Sequence, residues 1–237
     1  MDAVVFGASG GIGAALTQAL AARADVRRVH AVSRTPPAKS ERIEPHAANI
    51  LDEDDLAGVA KAVAWEGAPD LVIVAAGVLS DGDRLQPEKS YRHQSLDAFE
   101  AVFRLNTFAP ALIAKHMLPI MPRKGRAVFA ALSARVGSIT DNGLGGWHAY
   151  RASKSALNML IRNYAIEQAR RNEDFIAAGL HPGTVDTDLS RPFQSGLPDG
   201  QVISPDRSAA ALLGVIDGLA PADSGKLFDW RGDEIPA

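Results

Sequence analysis

The 237-residue chain has no cysteine, which excludes disulfides, thiolate metal sites and a cysteine nucleophile. It has no excess of either charge: 25 Lys and Arg face 28 Asp and Glu, a formal net charge of −3. Nothing in that balance would draw the chain to nucleic acid or to an anionic membrane surface. No apolar run approaches the ~18–20 residues of a membrane span, and Met1-Asp2-Ala3-Val4-Val5-Phe6 lacks a basic leader segment. A cytoplasmic protein is expected. His30, His46, His93, His116 and His181 show no metal-ligand spacing. Asp52-Glu53-Asp54-Asp55 reads as a solvated first helical turn whose charge suits the helix dipole, so no metal is expected. Repeats, low-complexity segments and linkers are also lacking. What is present is 46% hydrophobic and 22% charged residues, a well-filled globule of ordinary length for one α/β domain covering 1–237.

Apolar runs and helical patterns alternate along it. Residues 3–6 and 27–32 read as strands flanking a helical pattern, the length of a βαβ unit. Leu71-Val72-Ile73-Val74-Ala75-Ala76 and Ala127-Val128-Phe129-Ala130-Ala131-Leu132 are the continuous apolar runs expected of parallel strands buried on both faces. Residues 175–180 and 226–229 are further strands. Helices are expected over 54–64, over about 96–118 with Ser95 as N-cap, over the stretch at 147–157, and from Ser204-Pro205-Asp206 to about 218. The segments 34–48, 78–94, 138–147 and 189–204 read as loops. The pattern gives a doubly wound, mostly parallel sheet flanked by helices, with ligands bound at the C-terminal ends of the strands.

The first strand runs into Gly7-Ala8-Ser9-Gly10-Gly11-Ile12-Gly13. A glycine-rich turn between first strand and first helix allows a tight turn at Gly7, approach of a pyrophosphate at Gly11, and close helix–sheet packing at Gly13. The end of the second strand carries no carboxylate to accept from an adenosine ribose. Ser33 and Arg34 stand there, a hydroxyl and a guanidinium that suit a 2′-phosphate, so NADP(H) is expected in preference to NAD(H). In Trp147-His148-Ala149-Tyr150-Arg151-Ala152-Ser153-Lys154, helical spacing sets the Tyr150 phenol and Lys154 ammonium on one face. A nearby fixed positive charge favours the phenolate, so the pair suggests a general acid/base.

Taken together, residues 7–13, Asn106, Ser133, Tyr150 and Lys154 resemble the short-chain dehydrogenase/reductase family, over essentially the whole chain. Leu85-Gln86-Pro87-Glu88-Lys89-Ser90 and Ser133-Ala134-Arg135-Val136-Gly137-Ser138-Ile139 are similar to its C-factor-like branch, named for cell–cell signalling. The resemblance implies a Rossmann-type single domain and hydride transfer between nicotinamide and a carbonyl or alcohol. In it Tyr150 exchanges the proton, Lys154 holds the nicotinamide ribose and lowers the pKa of Tyr150, and Asn106 holds a water linking Lys154 to solvent. It implies cofactor contacts from Gly7, Ser9, Gly11, Ile12, Gly13, Ser33 and Arg34. Further contacts are implied from Asn49 and Ile50, from Ala75, Ala76 and Gly77 (where the family has Asn-Asn-Ala-Gly), and from Pro182, Gly183, Val185 and Thr187. Ser133 would orient the substrate oxygen. The family serine stands three residues before the turn glycine, however, and that position is Ala134; Ser138 is the alternative. The expected partner is a small or medium, partly apolar carbonyl or alcohol shaped by the 78–94 and 189–204 loops, with Trp147 and Phe193 as lining candidates and His148 an exposed loop residue. A homodimer or homotetramer through the helices at 96–120 and 148–172 is implied. A cofactor-binding regulatory or signalling protein with little turnover is the competing reading.

Overall fold

The computed structural model describes residues 1–198 and 200–237. In chain order its main elements are β1 (Asp2–Phe6), α1 (Gly11–Ala22), β2 (Arg28–Ser33), β3 (Ile43–Ala47), α2 (Glu53–Glu66), β4 (Leu71–Val74), α3 (Leu96–Phe103), α4 (Ala109–Met117), β5 (Ala127–Leu132), α5 (His148–Ala169), β6 (Phe175–His181), β7 (Thr184–Val185), β8 (Val202–Ile203), α6 (Pro205–Gly218), β9 (Lys226–Asp229) and β10 (Glu234–Ile235). Eight strands form one sheet in the order β10-β9-β6-β5-β4-β1-β2-β3, parallel except for β10. The chain reverses direction across the sheet between β1 and β4, and the ends of those strands carry the site.

The continuous apolar runs arise because both faces are covered. Successive strand side chains alternate sides. Ala3 and Val5 join the core under α1 and α6, with Leu16, Leu20 and Leu212. Val4 and Phe6 join the opposite core with Val59, Ile113 and Leu157 from α2, α4 and α5. Each fully buried Leu or Phe side chain contributes roughly 1.5–3 kcal/mol relative to exposure. Caps set several helix starts: Asp52 accepts from the amides of Asp54 and Asp55, Ser95 from Ala98, and Ser204 from Arg207 with Pro205 at N1. The 189–204 segment holds β8 and a 3-10 turn at Arg191–Phe193; its position 199 lies outside the described residues.

Three features differ from the sequence reading. The 34–48 segment is not all loop, because β3 pairs in parallel with β2. Its sequence, Ile-Glu-Pro-His-Ala, is half-buried and carries Pro45, which an edge strand tolerates because its outer amides need no partner. The helix expected over 96–118 is interrupted by a π turn at Arg104–Phe108, where the Ala109 amide bonds the Arg104 carbonyl. Pro110 has no N–H for the Asn106 carbonyl four residues back, so the α ladder cannot run straight through. His148 is the first residue of α5 rather than a loop residue.

Candidate active site

The glycine turn is closed by geometry that tolerates no side chain at two positions. Gly7 has φ +84°, and a Cβ there would stand 2.9 Å from the Ala75 carbonyl. A Cβ on Gly13 would stand 2.1 Å from the Gly7 oxygen, so α1 is seated directly on the turn. Gly7, Ser9, Ser33, Arg34, Asn49, Ile50, Ala75, Ala76 and Gly77 line one cleft of about 550 Å³. Ala101, Arg104 and Leu105 also line it; they lie at the α3–π junction, where no local motif points to a ligand. Ser33 is buried and its hydroxyl has no hydrogen-bond partner among the described residues. An unpartnered buried hydroxyl is costly, and here it sits in the wall of a cleft, beside the exposed Arg34. The Asn49 amide oxygen accepts from the Leu51 amide at 3.1 Å, an Asx turn that uses part of the acceptor capacity expected to face the adenine.

Gly11, Ile12 and Gly13 lie outside that lining, in the first turn of α1, where Ile12 packs on the core. Gly11 meets the 182–187 segment: a Cβ on it would touch Thr187 Cγ2 at 2.7 Å. This segment is held at each end. The Pro182 carbonyl accepts from Ser208 Oγ at 2.9 Å, Gly183 is left-handed with the Trp230 indole against it, and β7 pairs with β8 through Val185 and Ile203. Thr187 Oγ1 donates to the Val185 carbonyl at 3.3 Å.

Tyr150 and Lys154 are both buried in the first two turns of α5. Lys154 Nζ lies 5.8 Å from the Tyr150 ring centroid and donates to the Leu132 carbonyl, at the end of β5, at 2.8 Å. Burial pushes the Tyr150 phenol up to about 12 and the Lys154 ammonium down to about 8. The expected lowering of the Tyr150 pKa by Lys154 is therefore not seen in this structure: desolvation of the phenol dominates. Asn106 is fully buried on the π turn. Its Nδ2 donates to the Val78 carbonyl and to Ser153 Oγ, and its Oδ1 accepts from the Val78 amide. Gly77 brings the backbone beside both groups, a Cβ there lying 3.0 Å from Asn106 Oδ1 and 3.5 Å from Lys154 Nζ. Asn106, Lys154 and Tyr150 thus form one unit.

Ser133 does not join it. Its buried hydroxyl donates to Asn158 Oδ1 at 2.7 Å, one helical turn beyond Lys154. The backbone stays extended through Ala134 (φ −151°, ψ 146°), so adjacent side chains point to opposite sides. Ala134 is the one that packs into the apolar cluster containing Tyr150, Leu79, Leu85, Trp147 and Phe193. Ser138 is buried too, accepting from the Asp141 amide at 3.0 Å. The Ser133 hydroxyl, expected to orient the substrate, is thus engaged with Asn158, and Ala134 is the member of this pair that belongs to the Tyr150 cluster.

Trp147 and Phe193 stand 5.2 Å apart over this cluster, and Trp147 meets the Tyr150 ring edge-on at 6.3 Å. Two residues not read as functional support the helix. A Cβ on Gly137 would lie 2.7 Å from Lys154 Cβ, so glycine there lets the turn after β5 rest on α5. Glu88 is buried against the start of α5, and no local spacing could announce that contact across 61 residues. Among the described residues no group of three or more His, Asp or Glu side chains could hold a metal ion, and no helix is long and apolar enough to cross a membrane.

A family model described as short chain dehydrogenase matches residues 2–197. The C-signal protein of Myxococcus xanthus is 40% identical over 134 residues, 56% of this chain and 75% of that protein. A 1-hydroxy-2-glutathionyl-2-methyl-3-butene dehydrogenase of Rhodococcus sp. (strain AD45) is 33% identical over 130 residues, 55% of this chain and 54% of that enzyme. The match thus spans about half the length of that relative. Among solved structures, the NADPH-bound carbonyl reductase from chicken fatty liver superposes with a TM-score of 0.84 and 25% identity, covering 100% of this chain and 98% of that one.

Proposed function

Because the chain belongs to the short-chain dehydrogenase family, we propose that it is an NADP(H)-dependent oxidoreductase interconverting a carbonyl and an alcohol, with Tyr150 as the proton donor and acceptor. The observation that carries this reading is the buried Tyr150–Lys154 pair, held at the end of β5 by the bond from Lys154 to the Leu132 carbonyl.

The residues present fit a dinucleotide. The cleft has a turn whose glycines admit close approach, an unpartnered Ser33 hydroxyl, and an Arg34 guanidinium at its wall. When bound, the nicotinamide would supply or accept the hydride. Gly7, Ser9, Gly11, Ile12 and Gly13 would hold its phosphates, and Ser33 and Arg34 a 2′-phosphate. Asn49, Ile50, Ala75, Ala76 and Gly77 would flank the adenosine, and Pro182, Gly183, Val185 and Thr187 the carboxamide end.

For the proton, Tyr150 enters the reaction as a neutral phenol, its pKa raised by burial, which suits donation to a carbonyl oxygen during reduction. Lys154, still largely protonated near neutral pH, stabilises the phenolate left behind. Asn106 fixes the Val78 backbone and Ser153, and its carbonyl, to which Pro110 offers no N–H, accepts from a water that connects Lys154 to solvent. With Ala134 beside it, Tyr150 is the hydroxyl that orients the substrate oxygen. The surrounding Leu79, Leu85, Trp147, Leu189 and Phe193 favour a small or medium, partly apolar substrate. Exposed Met159 and Ile166, seven apart on α5, together with exposed Phe108, support a homodimer or homotetramer.

The likeness to C-signal favours one competing reading, a cofactor-binding signalling protein with little turnover. NADPH consumption against a panel of aldehydes and ketones separates the two. Under the enzyme reading Tyr150→Phe lowers kcat by about 10²–10⁴ while NADPH binding persists. Tight NADPH binding with no turnover on any carbonyl, and no difference between wild type and Tyr150→Phe, favours the signalling reading.

A further inference from the structure

Tyr150 lies in the first turn of α5, so whatever fixes that turn fixes the phenol. The helix has no cap of its own. Trp147 occupies the N-cap position with a left-handed backbone (φ 50°, ψ 44°), and its side chain makes no capping bond. It is the one non-glycine residue with positive φ among the described residues, and it follows Gly145 and Gly146, both also at positive φ. For an L-residue that conformation is unfavourable, so neighbouring contacts must hold it.

Those contacts converge on Glu88, in the loop after β4. The residue is 4% exposed although Lys89 beside it is exposed. Both carboxylate oxygens face the Ala149 amide, at 3.3 and 3.2 Å, and the Glu88 carbonyl accepts from the Trp147 amide at 2.6 Å. A buried carboxylate without a partner would be strongly unfavourable; this one meets the Ala149 amide, one of the donors left open at the positive dipole end of α5. The same loop supplies Leu79 and Leu85 to the apolar wall around Tyr150. Arg151 secures the other side of the turn, donating to the carbonyls of Gly145, Gly146 and Val136.

We propose that Glu88 is a positioning residue for Tyr150, capping α5 from a distant loop and coupling the substrate-side wall to the acid/base. The proposal rests on the reading of Tyr150 as proton donor. Removing the carboxylate frees the first turn of α5 and lets Trp147 relax, so the phenol loses its fixed direction, while the glycine turn and the Ser33–Arg34 wall of the cofactor cleft, which Glu88 does not touch, are unchanged.

The test compares Glu88→Met, which keeps the volume and removes the acceptors, with Glu88→Gln, which keeps one acceptor oxygen. Hydrogen exchange over residues 145–152, NADPH affinity, and kcat and KM for carbonyl reduction are measured on each. Glu88→Met is expected to speed exchange in that segment about tenfold and to lower kcat about 10- to 100-fold. KM and NADPH affinity stay within about twofold, and Glu88→Gln stays within about threefold of wild type in exchange and kcat. Wild-type exchange in Glu88→Met overturns the proposal. So does a kcat within twofold of wild type while Tyr150→Phe is inactive, or an equal loss of kcat, NADPH affinity and thermal stability in both variants. If wild type turns over no carbonyl, the activity reading has failed, and the exchange comparison still decides whether Glu88 caps α5.

Discussion

Gly13→Ala places one methyl group where the structure has no room. The added Cβ would lie 2.1 Å from the Gly7 oxygen, 2.8 Å from the Gly7 carbonyl carbon and 3.3 Å from the Ala8 amide nitrogen. All three neighbours are backbone, so no side chain can swing aside. Ordinary van der Waals separation requires α1 and the turn to part by more than about 1 Å. Overpacking of this kind costs about 1–3 kcal/mol, occasionally more. For a chain of this size each kcal/mol moves Tm by about 2–4 °C, so a cost near 3 kcal/mol lowers Tm by about 6–12 °C. Gly58→Ala is the control. Gly58 is exposed inside α2 with nothing within 4 Å of its Cβ position, so alanine should stabilise by about 0.5–1 kcal/mol through helix propensity. Thermal and urea unfolding of both variants, with an NADPH titration on the folded proteins, gives the comparison. Gly13→Ala should also weaken NADPH binding at least tenfold, since the displaced turn is the phosphate-binding one. A Gly13→Ala protein melting within 2 °C of wild type, or a Gly58→Ala protein destabilised as much as Gly13→Ala, would refute the packing argument.

Arg34→Ala should raise KM for NADPH about tenfold or more with little effect on NADH, because a charge-assisted contact to a 2′-phosphate is lost; equal effects on the two cofactors in steady-state kinetics sink the assignment. The Lys154 pKa is lowered from its ordinary value to about 8, so the side chain loses its charge as pH rises through that value. Reductive kcat/KM is therefore expected to fall above about pH 8, with Tyr150 still protonated there. A profile flat to pH 10 contradicts this. Ala134→Ser places a hydroxyl on the Tyr150 side of the extended segment and should raise kcat/KM about tenfold, the effect of roughly one added hydrogen bond to the developing oxyanion. Unchanged or lowered kcat/KM in that variant shows that Ala134 does not face the substrate oxygen.

Much of the architecture was legible because buried parallel strands leave a one-dimensional mark. The run at 127–132 matches β5, the run at 226–229 matches β9, and the cap at Ser204-Pro205 opens α6. The elements that escaped were those whose pattern is shaped by position in the sheet. β3 carries Pro45 and the half-buried polar residues Glu44 and His46 because it is an edge, and β10 is two residues long. The π turn escaped because a single proline at 110 can break, kink or widen a helix, and packing selects among these outcomes.

The site divides along the same line. Short-range spacing was enough for residues 7–13, where Gly7 and Gly13 must be glycines because a turn and a helix start meet within seven residues. It was enough, too, for the shared face of Tyr150 and Lys154, since helical periodicity is local. Other features needed the folded chain. Which of two adjacent residues, Ser133 or Ala134, faces Tyr150 depends on how β5 emerges from the sheet. The ionisation of Tyr150 depends on how thoroughly its neighbours exclude water. The support from Glu88 depends on a loop returning to a helix 61 residues away. Periodicity and turn chemistry act over a few residues of chain, whereas burial and side-chain direction at a strand end follow from contacts between elements far apart in sequence.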